Sequence, residues 1–579
     1  MRKLLTALTS LALVGGVSLG APATAMAADH TYWISTAAVG VGDGTSCSDP
    51  THQYDQLLAN KQFNDLLDDI LDDVSTHSYS PVTIAICAGN DSDTQRYTMD
   101  ADTALVDVSE AEITIVGVQW DATSEADVAG AGDVVIVGND LYSPFEFNNA
   151  DVYIGYLTIE EAYDDDTGAA VHFTQDGTDP DEDTIYELRL DHVVIEGAEI
   201  DAGVGAGVYV EGSVNITDST FTENRANDGD GGAVYVADAV DVTILNSTFG
   251  NAEDDLRNYS ADAGGDVYVA GDDVVADLKI SNSEFYDAEA GGYGGSIAAV
   301  CAAAVLSGVT ISDSMSGGDG GGLWLSDPND CLDDYTVTVS NSRFLSTDAE
   351  NQGGAISDDQ NWASASLTEL IVKGSYFYQN EAASGAAINL DGTNLTVSKS
   401  TFIENHAGLS GGGVLELCEN GGVTITGSRF DRNTSNGSGG VIRQNCGLDS
   451  LRLVGNTFTQ NETEGEGGVV YIDGFDDETT FTATSNKFIG NLAEDNGGVF
   501  GVYLNSSAKD STFLRGLRRN TYRGNRADSD RDGDGKGGIL AISYDDYDGR
   551  SPQRRLESAL RSGNTVQGAR TGLVHQIND

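Results

Sequence analysis

Residues 395–417 read LTVSKSTFIENHAGLSGGGVLEL, and the same pattern returns at 451–472 as LRLVGNTFTQNETEGEGGVVYI. Two further copies are VNITDSTFTENRANDGDGGAVYV at 214–236 and FTATSNKFIGNLAEDNGGVFGV at 481–502. Each copy contains an alternating apolar segment, a phenylalanine, an asparagine three residues later, a variable polar loop, a glycine pair and a second alternating segment. Self-similarity of this kind indicates a repeat architecture.

The aromatic anchors define eleven units at intervals of 25 to 36 residues, with a methionine filling one gap. The anchors are Phe221, Phe249, Phe285, Met315, Phe344, Phe377, Phe402, Phe430, Phe458, Phe488 and Tyr522. The asparagines that follow them are Asn224, Asn380, Asn405, Asn433, Asn461, Asn491 and Asn525. We expect asparagine to make the turn here, because it tolerates left-handed backbone and caps local amides.

One such unit cannot bury its own apolar face, but stacked units can, with parallel strands about 4.8 Å apart. The sequence therefore predicts an all-β fold, a right-handed parallel β-helix with one repeat per coil. The glycine pair permits a tight approach where a side chain would clash with the neighbouring coil. Segments at 112–116, 134–137, 152–157 and 188–191 predict four earlier coils, so the total is about fifteen.

The ends of the chain differ from its middle. Residues 1–27 are typical of a signal peptide, with Arg2 and Lys3, an apolar run and Ala25-Met26-Ala27 before the cleavage point. We assign 28–105 to an N-terminal cap and first coil, where the apolar spacing of 61–74 predicts a capping helix. The β-helix occupies 106–546, and 547–579 forms a C-terminal segment with a predicted helix and last strand.

The composition limits the partners of the protein. The chain has 93 acidic residues against 29 lysines and arginines, a formal charge of −64, and 40% hydrophobic residues. Such a charge opposes binding to nucleic acids and anionic lipid surfaces. No stretch after the signal approaches the roughly 18 apolar residues of a membrane span. We expect a secreted or cell-surface protein whose partner is an extracellular glycan or a host or cell-surface protein.

The chain contains six cysteines, Cys47, Cys87, Cys301, Cys331, Cys418 and Cys446. An even number in an exported chain predicts disulfides. The separations within the last two pairs, 30 and 28 residues, match the repeat length. We therefore expect Cys301–Cys331 and Cys418–Cys446 to join neighbouring coils, and Cys47–Cys87 to fasten the N-terminal loop to the first strand. Free buried thiols are the alternative.

The repeated Phe-x-x-Asn and Gly-Gly-Ala-Ile/Val segments resemble the repeats of chlamydial-type polymorphic outer-membrane proteins, within the pectin-lyase-like β-helix superfamily. Over about 210–540 the matches include FTEN with GGAV, FYQN with GAAI, FIEN with GGGV, FDRN with GGVI, FTQN with GGVV, and FIGN with GGVF. The resemblance implies a surface-exposed adhesin on a β-helix. Family members carry a C-terminal membrane barrel, and no such segment is visible here.

One loop has the ligands of a metal site. Asp528, Asp530 and Asp532 alternate before Gly533 and Asp534, which resembles the start of a calcium loop. The twelfth position of that loop is Ile539 rather than glutamate, so the EF-hand form is incomplete. The alternative is a solvated acidic loop. Calcium is the one cofactor that the sequence suggests.

Catalytic motifs are sparse in this sequence. Glycoside hydrolysis needs two carboxylates at a suitable separation, but in so acidic a chain suitable pairs arise by chance. Asp191-His192 is the sharpest local group, and an exposed pair at a strand end is its simplest interpretation. We therefore predict an adhesin-like binding scaffold without a catalytic residue. A polysaccharide lyase or glycoside hydrolase is the alternative.

Overall fold

A computed structural model describes most of the repeat region and part of each end. The described residues are 31–35, 52–53, 67, 70, 81–88, 95–98, 105–106, 112–121, 126–129, 134–138, 143–164, 167–175, 186–252, 256–271, 275–327, 331, 334–360, 367–408, 412–476, 478–505, 510–527, 536–544, 553–567 and 572–577. The predicted signal peptide and the calcium loop at 528–534 lie outside them.

The chain folds as a right-handed parallel β-helix, as predicted. A regular coil has four strands, termed A, B, C and D in chain order; around Phe221 they are Ser213–Thr217, Thr220–Thr222, Arg225–Ala226 and Val234–Ala237. The A, B and D strands belong to a 46-stranded sheet, and the C strands form a 12-stranded sheet. Each strand pairs in parallel with its equivalent in the next coil.

The A and B strands form the two ladders that flank the first corner of each coil. The A strands are Thr31–Ser35, Val82–Cys87, Glu112–Asp121, Asp151–Glu160, Glu187–Glu196, Ser213–Thr217, Asp241–Leu245, Ala276–Ser281, Ala302–Ser307, Tyr335–Ser340, Leu367–Lys373, Asn394–Ser398, Leu415–Thr426, Ile442–Val454, Thr480–Thr484 and Leu517–Arg518. The B strands are Gln95–Thr98, Val134–Val137, Thr220–Thr222, Thr248–Phe249, Glu284–Tyr286, Thr310–Ser312, Arg343–Leu345, Tyr376–Tyr378, Thr401–Ile403, Arg429–Asp431, Thr457–Thr459, Lys487–Ile489, Thr521–Arg523 and Thr565–Gln567. In the coils of Asp151–Glu160 and Glu187–Glu196, one long strand supplies both A and B.

The C and D strands lie on either side of the polar loop and the glycine pair. The C strands are Tyr163–Asp164, Glu199–Ile200, Arg225–Ala226, Tyr259–Ser260, Glu289–Ala290, Met315–Ser316, Asp348–Gln352, Glu381–Ser384, His406–Ala407, Thr434–Ser435, Glu462–Thr463 and Leu492–Ala493. The D strands are Leu105–Val106, Phe145–Asn148, Val171–Thr174, Val208–Glu211, Val234–Ala237, Val267–Ala270, Ile297–Val300, Leu323–Asp327, Ile356–Gln360, Ile388–Asp391, Val470–Phe475, Phe500–Leu504, Leu540–Tyr544 and Val574–Gln576. Leu415–Thr426 and Ile442–Val454 each supply a D strand and the following A strand.

The first coils differ from the sequence prediction in one respect. Val134–Val137 is not the start of its own coil, because it pairs as a B strand with Gln95–Thr98 and with the second half of Asp151–Glu160. The number of coils nevertheless agrees roughly with the predicted fifteen. Two further short strands lie outside the regular ladders, His52–Gln53 beside Thr31–Ser35, and Ala126–Ala129, which pairs antiparallel with Glu112–Asp121.

The predicted capping helix is described at two positions only. Leu67 and Ile70 are helical and almost completely buried, as the predicted capping helix at 61–74 requires. The rest of that segment lies outside the described residues. At the other end, helix α1 spans Asp510–Gly516 and helix α2 spans Gln553–Arg561.

Phenylalanines of successive coils stack on one another in the core of the rod. From Phe344 to Phe488 the ring centroids of successive coils are 4.5 to 5.0 Å apart, and the rings are nearly parallel. Parallel pairing repeats the same side chain at the same place in each coil, so each ring covers the next. Phe402, Phe430 and Phe458 are fully buried. These anchors are therefore core residues.

The predicted anchor Met315 was wrong. Ile311 occupies the anchor position, because it pairs with Phe285 in the coil before and with Phe344 in the coil after. Ile311 is fully buried, whereas Met315 begins a C strand and is 40% exposed. Isoleucine fills the anchor position as a buried apolar residue, but it does not belong to the aromatic pattern of the repeat.

The predicted left-handed turn at asparagine was also misplaced by one residue. The positive φ belongs to the preceding residue, for example Glu404 (56°) before Asn405 and Arg432 (52°) before Asn433. Asn405 itself is fully buried. Its side-chain Nδ2 donates to Asn433 Oδ1 at 2.8 Å and to the Phe377 carbonyl at 3.3 Å. The asparagines thus form an internal ladder in which each amide binds the next coil.

A second polar ladder lies at the corner between the A and B strands. There the backbone N–H of Ser400 donates to Ser428 Oγ at 3.2 Å, and that of Ser428 donates to Asn456 Oδ1 at 2.8 Å. The Ser/Asn residue two positions before each of these anchors therefore has the same role in successive coils. Both ladders satisfy backbone N–H groups that the corners would otherwise leave unpaired.

The two glycines of each pair serve different purposes. Gly231 has φ +65°, a region that favours glycine. A Cβ on Gly232 would lie 2.2 Å from the carbonyl oxygen of Gly265 and 2.4 Å from that of Tyr259. The neighbouring coil leaves no room for a side chain at the second position, as the sequence predicts.

Two of the predicted disulfides are present. Cys301–Cys331 and Cys418–Cys446 have Cα–Cα distances of 5.6 and 4.8 Å. Both link neighbouring coils, because their cysteines are separated by about one repeat. Cys87 is also disulfide-bonded; its predicted partner Cys47 lies outside the described residues.

Candidate functional site

The outward side chains of the D strands form a straight row along the rod. In the register of the sheet, Glu146 pairs with His172, His172 with Tyr209, Tyr209 with Tyr235, and Tyr235 with Tyr268. These five residues, termed the tyrosine face, occupy successive coils. Valines on either side of each tyrosine point into the core, so the alternation of the strand places the rings outside.

The rings of the tyrosine face stack on one another. The Tyr209 and Tyr235 centroids are 5.7 Å apart and those of Tyr235 and Tyr268 4.8 Å, with interplanar angles of 5° and 3°. His172 meets Tyr209 edge-on at 5.1 Å. The ring faces are thus largely covered and the tyrosines are half-buried. The Tyr209 hydroxyl donates to Glu211 Oε1 at 3.0 Å.

Acidic side chains accompany this row. Asp230 precedes the glycine pair of its coil, and its Oδ1 accepts the backbone N–H of Ala263 at 2.8 Å. Burial raises the pKa of Asp230 to about 6. Burial, reinforced by Asp230, raises the pKa of Tyr235 to about 12. The tyrosine hydroxyls therefore remain protonated donors beside carboxylate acceptors, a combination suited to hydrogen bonding with hydroxylated ligands.

The aromatic row continues over the next two coils by a different route. The D strand has Ala298 where a tyrosine would follow Tyr268, and Ala298 pairs with Trp324 in the next coil. Tyr293, from the loop before the glycine pair, stacks on Trp324 with centroids 4.7 Å apart. Tyr293 is 37% exposed. A loop residue thus extends the aromatic row beside the alanine.

Beyond the aromatic row the same D-strand face becomes polar. Asn389, Glu416, Arg443 and Tyr471 pair in order in successive coils. Glu416 is 6% exposed, and its Oε1 accepts Arg443 Nη1 at 3.2 Å and Asn445 Nδ2 at 3.1 Å. Burial raises the pKa of Glu416 to about 7, although Arg443 opposes this rise. Glu416 is therefore a buried carboxyl whose raised pKa favours its protonated form more than in an exposed glutamate.

The Asp191-His192 pair lies within the strand Glu187–Glu196, at the corner between its A and B parts, and both side chains are half-buried rather than exposed at a strand end. His192 has a positive φ of 55° and stacks on Tyr156 with centroids 4.7 Å apart. Asp191, His192 and Asp218 bring ligand atoms within 4.8 Å of one another. However, Asp191 Oδ1 lies 2.7 Å from His192 Nδ1, and its Oδ2 accepts the Tyr153 hydroxyl at 2.9 Å. This hydrogen bonding accounts for the cluster without a metal ion.

The sequence-predicted site residues thus separate into three groups. The repeat phenylalanines and asparagines are buried and structural, and the cysteines of the two described pairs are bonded. The predicted calcium ligands Asp528, Asp530, Asp532 and Asp534 lie outside the described residues. The tyrosine face was missed. Its signal is the recurring Val-Tyr-Val, at 208–210 after Gly-Ala-Gly and at 234–236 and 267–269 after a glycine pair.

The repeat has a counterpart among known families. The model for the Chlamydia polymorphic membrane protein repeat matches residues 218–237. The match confirms the resemblance of the repeat. It runs from the corner before Phe221 to the D strand that carries Tyr235. Over its length, the chain matches no curated protein sequence.

Three solved structures are similar to parts of this chain. Tailspike protein 3 of bacteriophage CBA120 has 11% identity and a TM-score of 0.35, with 82% of this chain and 60% of that chain covered. The catalytic unit of the GH87 alpha-1,3-glucanase of Streptomyces thermodiastaticus has 14% identity and a TM-score of 0.37, with 72% and 65% covered. A mannuronic acid specific polysaccharide family 6 lyase from human gut microbiota has 11% identity and a TM-score of 0.24, with 86% and 93% covered.

The chain thus spans less than two thirds of the tailspike and of the glucanase. At such low identities and TM-scores, the three structures carry no argument about what this chain binds. Among the described residues, no helix is both long and apolar enough to cross a membrane.

Proposed function

We propose that this protein is a secreted or cell-surface β-helix that acts as an adhesin-like binding scaffold, and that its tyrosine face binds an extracellular glycan. The observation that carries the proposal is the straight row of protonated tyrosine hydroxyls and carboxylates in successive coils. The disulfides support an extracellular location, because such bonds persist in oxidising environments.

The charge of the chain limits the class of glycan. The tyrosine face belongs to a chain with a formal charge of −64 and has carboxylates beside it, so this surface disfavours polyuronates and sulfated chains. Neutral sugars, or sugars that carry amines, fit a surface of hydroxyl donors and carboxylate acceptors better. An extracellular protein is the alternative partner, and a protein array distinguishes it from a glycan.

The test removes hydroxyls without disturbing the ring stack. In Tyr235→Phe with Tyr268→Phe, we expect at least a tenfold loss of affinity for neutral or amine-bearing glycans on an array, because two donors are lost. Tyr471→Phe is the matched control, since Tyr471 is an outward D-strand tyrosine of the polar part. Unchanged glycan binding in the double variant, with an unchanged melting temperature, would reject the tyrosine face as the site.

Glu416 supports a second candidate, a glycan-active enzyme. A buried carboxyl whose pKa is raised to about 7 beside an arginine has the properties of a general acid. The wild-type protein is incubated with neutral, uronate and amino-sugar polysaccharides, and new reducing ends or unsaturated products are measured. The control is Glu369→Gln, because Glu369 lies on the A strand Leu367–Lys373 and not on the D-strand face of Glu416. Products that disappear in Glu416→Gln but persist in Glu369→Gln would establish catalysis and displace the scaffold proposal.

Calcium binding by Asp528, Asp530, Asp532 and Asp534 remains a proposal. Calcium added to metal-free protein should raise its melting temperature, and Asp530→Ala with Asp532→Ala should abolish the rise. An unchanged melting curve in the wild type would leave these residues as a solvated acidic loop.

A further inference from the structure

The C-terminal end of the rod contains an open cavity rich in arginine. Its volume is about 600 Å³, and its lining includes Arg515, Arg518, Arg519 and Arg555 together with Leu514 and Leu556. Arg515 belongs to helix α1 and Arg555 to helix α2, while Arg518 and Arg519 follow α1 in the chain. The cavity thus lies where the two helices meet the end of the A-strand ladder.

The sign of the charge here opposes that of the rest of the chain. Residues 511–579 contain 12 lysines and arginines against 9 acidic residues, whereas the whole chain has a formal charge of −64. Elsewhere arginines pair with carboxylates, as Arg432 does with Glu404 at 2.7 Å and Arg443 with Glu416 at 3.2 Å. In the described part of the chain, none of the four cavity arginines forms such an ion pair.

Ordinary structural roles do not explain the whole group. Arg515 lies in the last turn of α1, where a positive charge favours the helix. Arg555 lies in the first turn of α2, where it opposes the helix dipole, and that turn has no acidic residue. Arg519 adopts a positive φ of 57°, and its backbone N–H donates to the Gly563 carbonyl at 2.7 Å. The fold therefore places four exposed arginines around one cavity.

The walls of the cavity are held by packing. Leu556 and Leu560 of α2 and Phe513 of α1 are almost completely buried. The Phe513 ring stacks on Phe481 of the last regular A strand, with centroids 4.4 Å apart. The arginines thus project from a fixed scaffold, so a ligand would not have to order the helices.

A second cavity of about 510 Å³ adjoins the first and shares Arg515 and Arg518. Its lining includes Thr480, Thr482 and Thr484 of the adjacent A strand. Threonine hydroxyls beside guanidinium groups provide donors for several oxygen atoms at once. The two adjoining cavities together offer more space than a single small oxyanion fills.

We propose that the arginine cavity binds a ligand with two or more closely spaced oxyanions, such as phosphates, sulfates or carboxylates. Guanidinium groups bind these oxyanions through paired N–H···O bonds. The site is separate from the tyrosine face, which favours uncharged or amine-bearing ligands. The protein would therefore bind anions at its C-terminal end and uncharged or amine-bearing ligands along its side.

The test titrates the full mature chain with pyrophosphate and with a sulfated oligosaccharide, by calorimetry at fixed ionic strength. We expect saturable binding of at least one probe, and at least a tenfold loss of affinity in Arg518→Gln with Arg555→Gln. Arg452→Gln is the control, because Arg452 is exposed on an A strand and lies outside the cavity. Pyrophosphate binding alone would indicate a small anion, and oligosaccharide binding a polymer.

Several outcomes would overturn the proposal. These are no binding of either probe to the wild type, or equal binding in the double variant. A third is wild-type self-association in sedimentation at low salt that the double variant lacks, because the arginines would then contact the acidic surface of another copy. The melting temperature of the double variant verifies that it folds. Tyr235→Phe should bind both probes as the wild type does, which separates this site from the tyrosine face.

Discussion

Two segments of the β-helix differ in the residues that fill the anchor and asparagine positions of their coils. In the unbroken segment, the coils anchored by Phe377, Phe402, Phe430, Phe458 and Phe488, every coil supplies both the phenylalanine and the ladder asparagine. In the broken segment, the coils anchored by Phe285 and Ile311, the asparagine position holds Ala288 and then Ser314. Both segments are nevertheless fully buried at these positions.

The broken segment replaces the asparagine with groups from another strand. Asn258 is the last asparagine before the break, and its Nδ2 donates to Asp266 Oδ1 at 2.8 Å. In the next coils Ser296 and Ser314 hydroxyls are 2.6 Å apart. Asp266 and Ser296 both follow a glycine pair, where the unbroken segment has Val441 or Val469.

Where the asparagine ladder stops, a carboxylate oxygen from another strand takes the place of the missing amide oxygen. A buried donor without an acceptor costs about 1–3 kcal/mol, so loss of the asparagine at Ala288 requires a new acceptor nearby. Asp266 provides it from the start of the D strand. Repeats that keep the phenylalanine and the asparagine are recognisable in the sequence, whereas repeats that replace the asparagine are not.

The largest expected effect is the loss of a ring from the unbroken stack. Phe430→Ala should reduce the free energy of unfolding by about 3–5 kcal/mol, because Phe402 and Phe458 cover both faces of the ring. Phe285→Ala should cost less, since Phe249 stacks on one side only and Ile311 lies on the other. Urea unfolding of both variants measures the difference. Equal losses would mean that ring stacking adds nothing beyond burial.

Removing an inter-coil disulfide should have the next largest effect. Replacing Cys418 and Cys446 together with serine should cost about 3–4 kcal/mol, as expected for closing a loop of 28 residues. The same change at Cys301 and Cys331 in the broken segment should cost a similar amount, because the loop has 30 residues. Melting temperatures under oxidising and reducing conditions measure both. A wild type insensitive to reductant would contradict this prediction.

Two substitutions that rebuild the asparagine ladder in the broken segment should have a smaller effect on stability. Ala288→Asn alone adds a second polar group beside Asp266, and Asp266→Ala alone removes an acceptor of Asn258, so each should destabilise. Together they should recover stability, with a coupling of about 0.5–3 kcal/mol, because the introduced side-chain oxygen would accept the Asn258 amide. A double-mutant cycle by urea unfolding gives the coupling. Simple additivity would show that Asp266 does not substitute for the ladder.

The smallest effect concerns the pH dependence of the broken segment. Burial raises the pKa of Asp266 well above its usual value. The folded state therefore favours the protonated acid, and this stability is present below the unfolded pKa near 3.8 and is lost as pH rises through the folded pKa. We expect Asp266→Asn to gain stability relative to the wild type as pH rises. Parallel pH profiles of the two melting temperatures would contradict this.

The period of the repeat predicted the coil and two disulfide pairs from the sequence. The period fixed the coil, and the spacing of Cys301–Cys331 and Cys418–Cys446 predicted their pairing, because residues one period apart lie side by side in stacked coils. The prediction failed where a different residue type occupies the anchor position, as Ile311 does in place of a phenylalanine. The tyrosine face was visible as Val-Tyr-Val, but only the register shows that its rings lie in one row.

The sequence alone determined the parallel β-helix, its buried phenylalanine stack and its glycine-pair corners, since each follows from local alternation and a constant period. Only the tertiary structure decided which polar groups meet. Asp266 reaches Asn258 from another strand, Glu416 meets Arg443 across coils, and α1 and α2 bring Arg515 and Arg555 around one cavity. These contacts join particular side chains that the repeat pattern does not specify, so the period of the chain alone could not predict them.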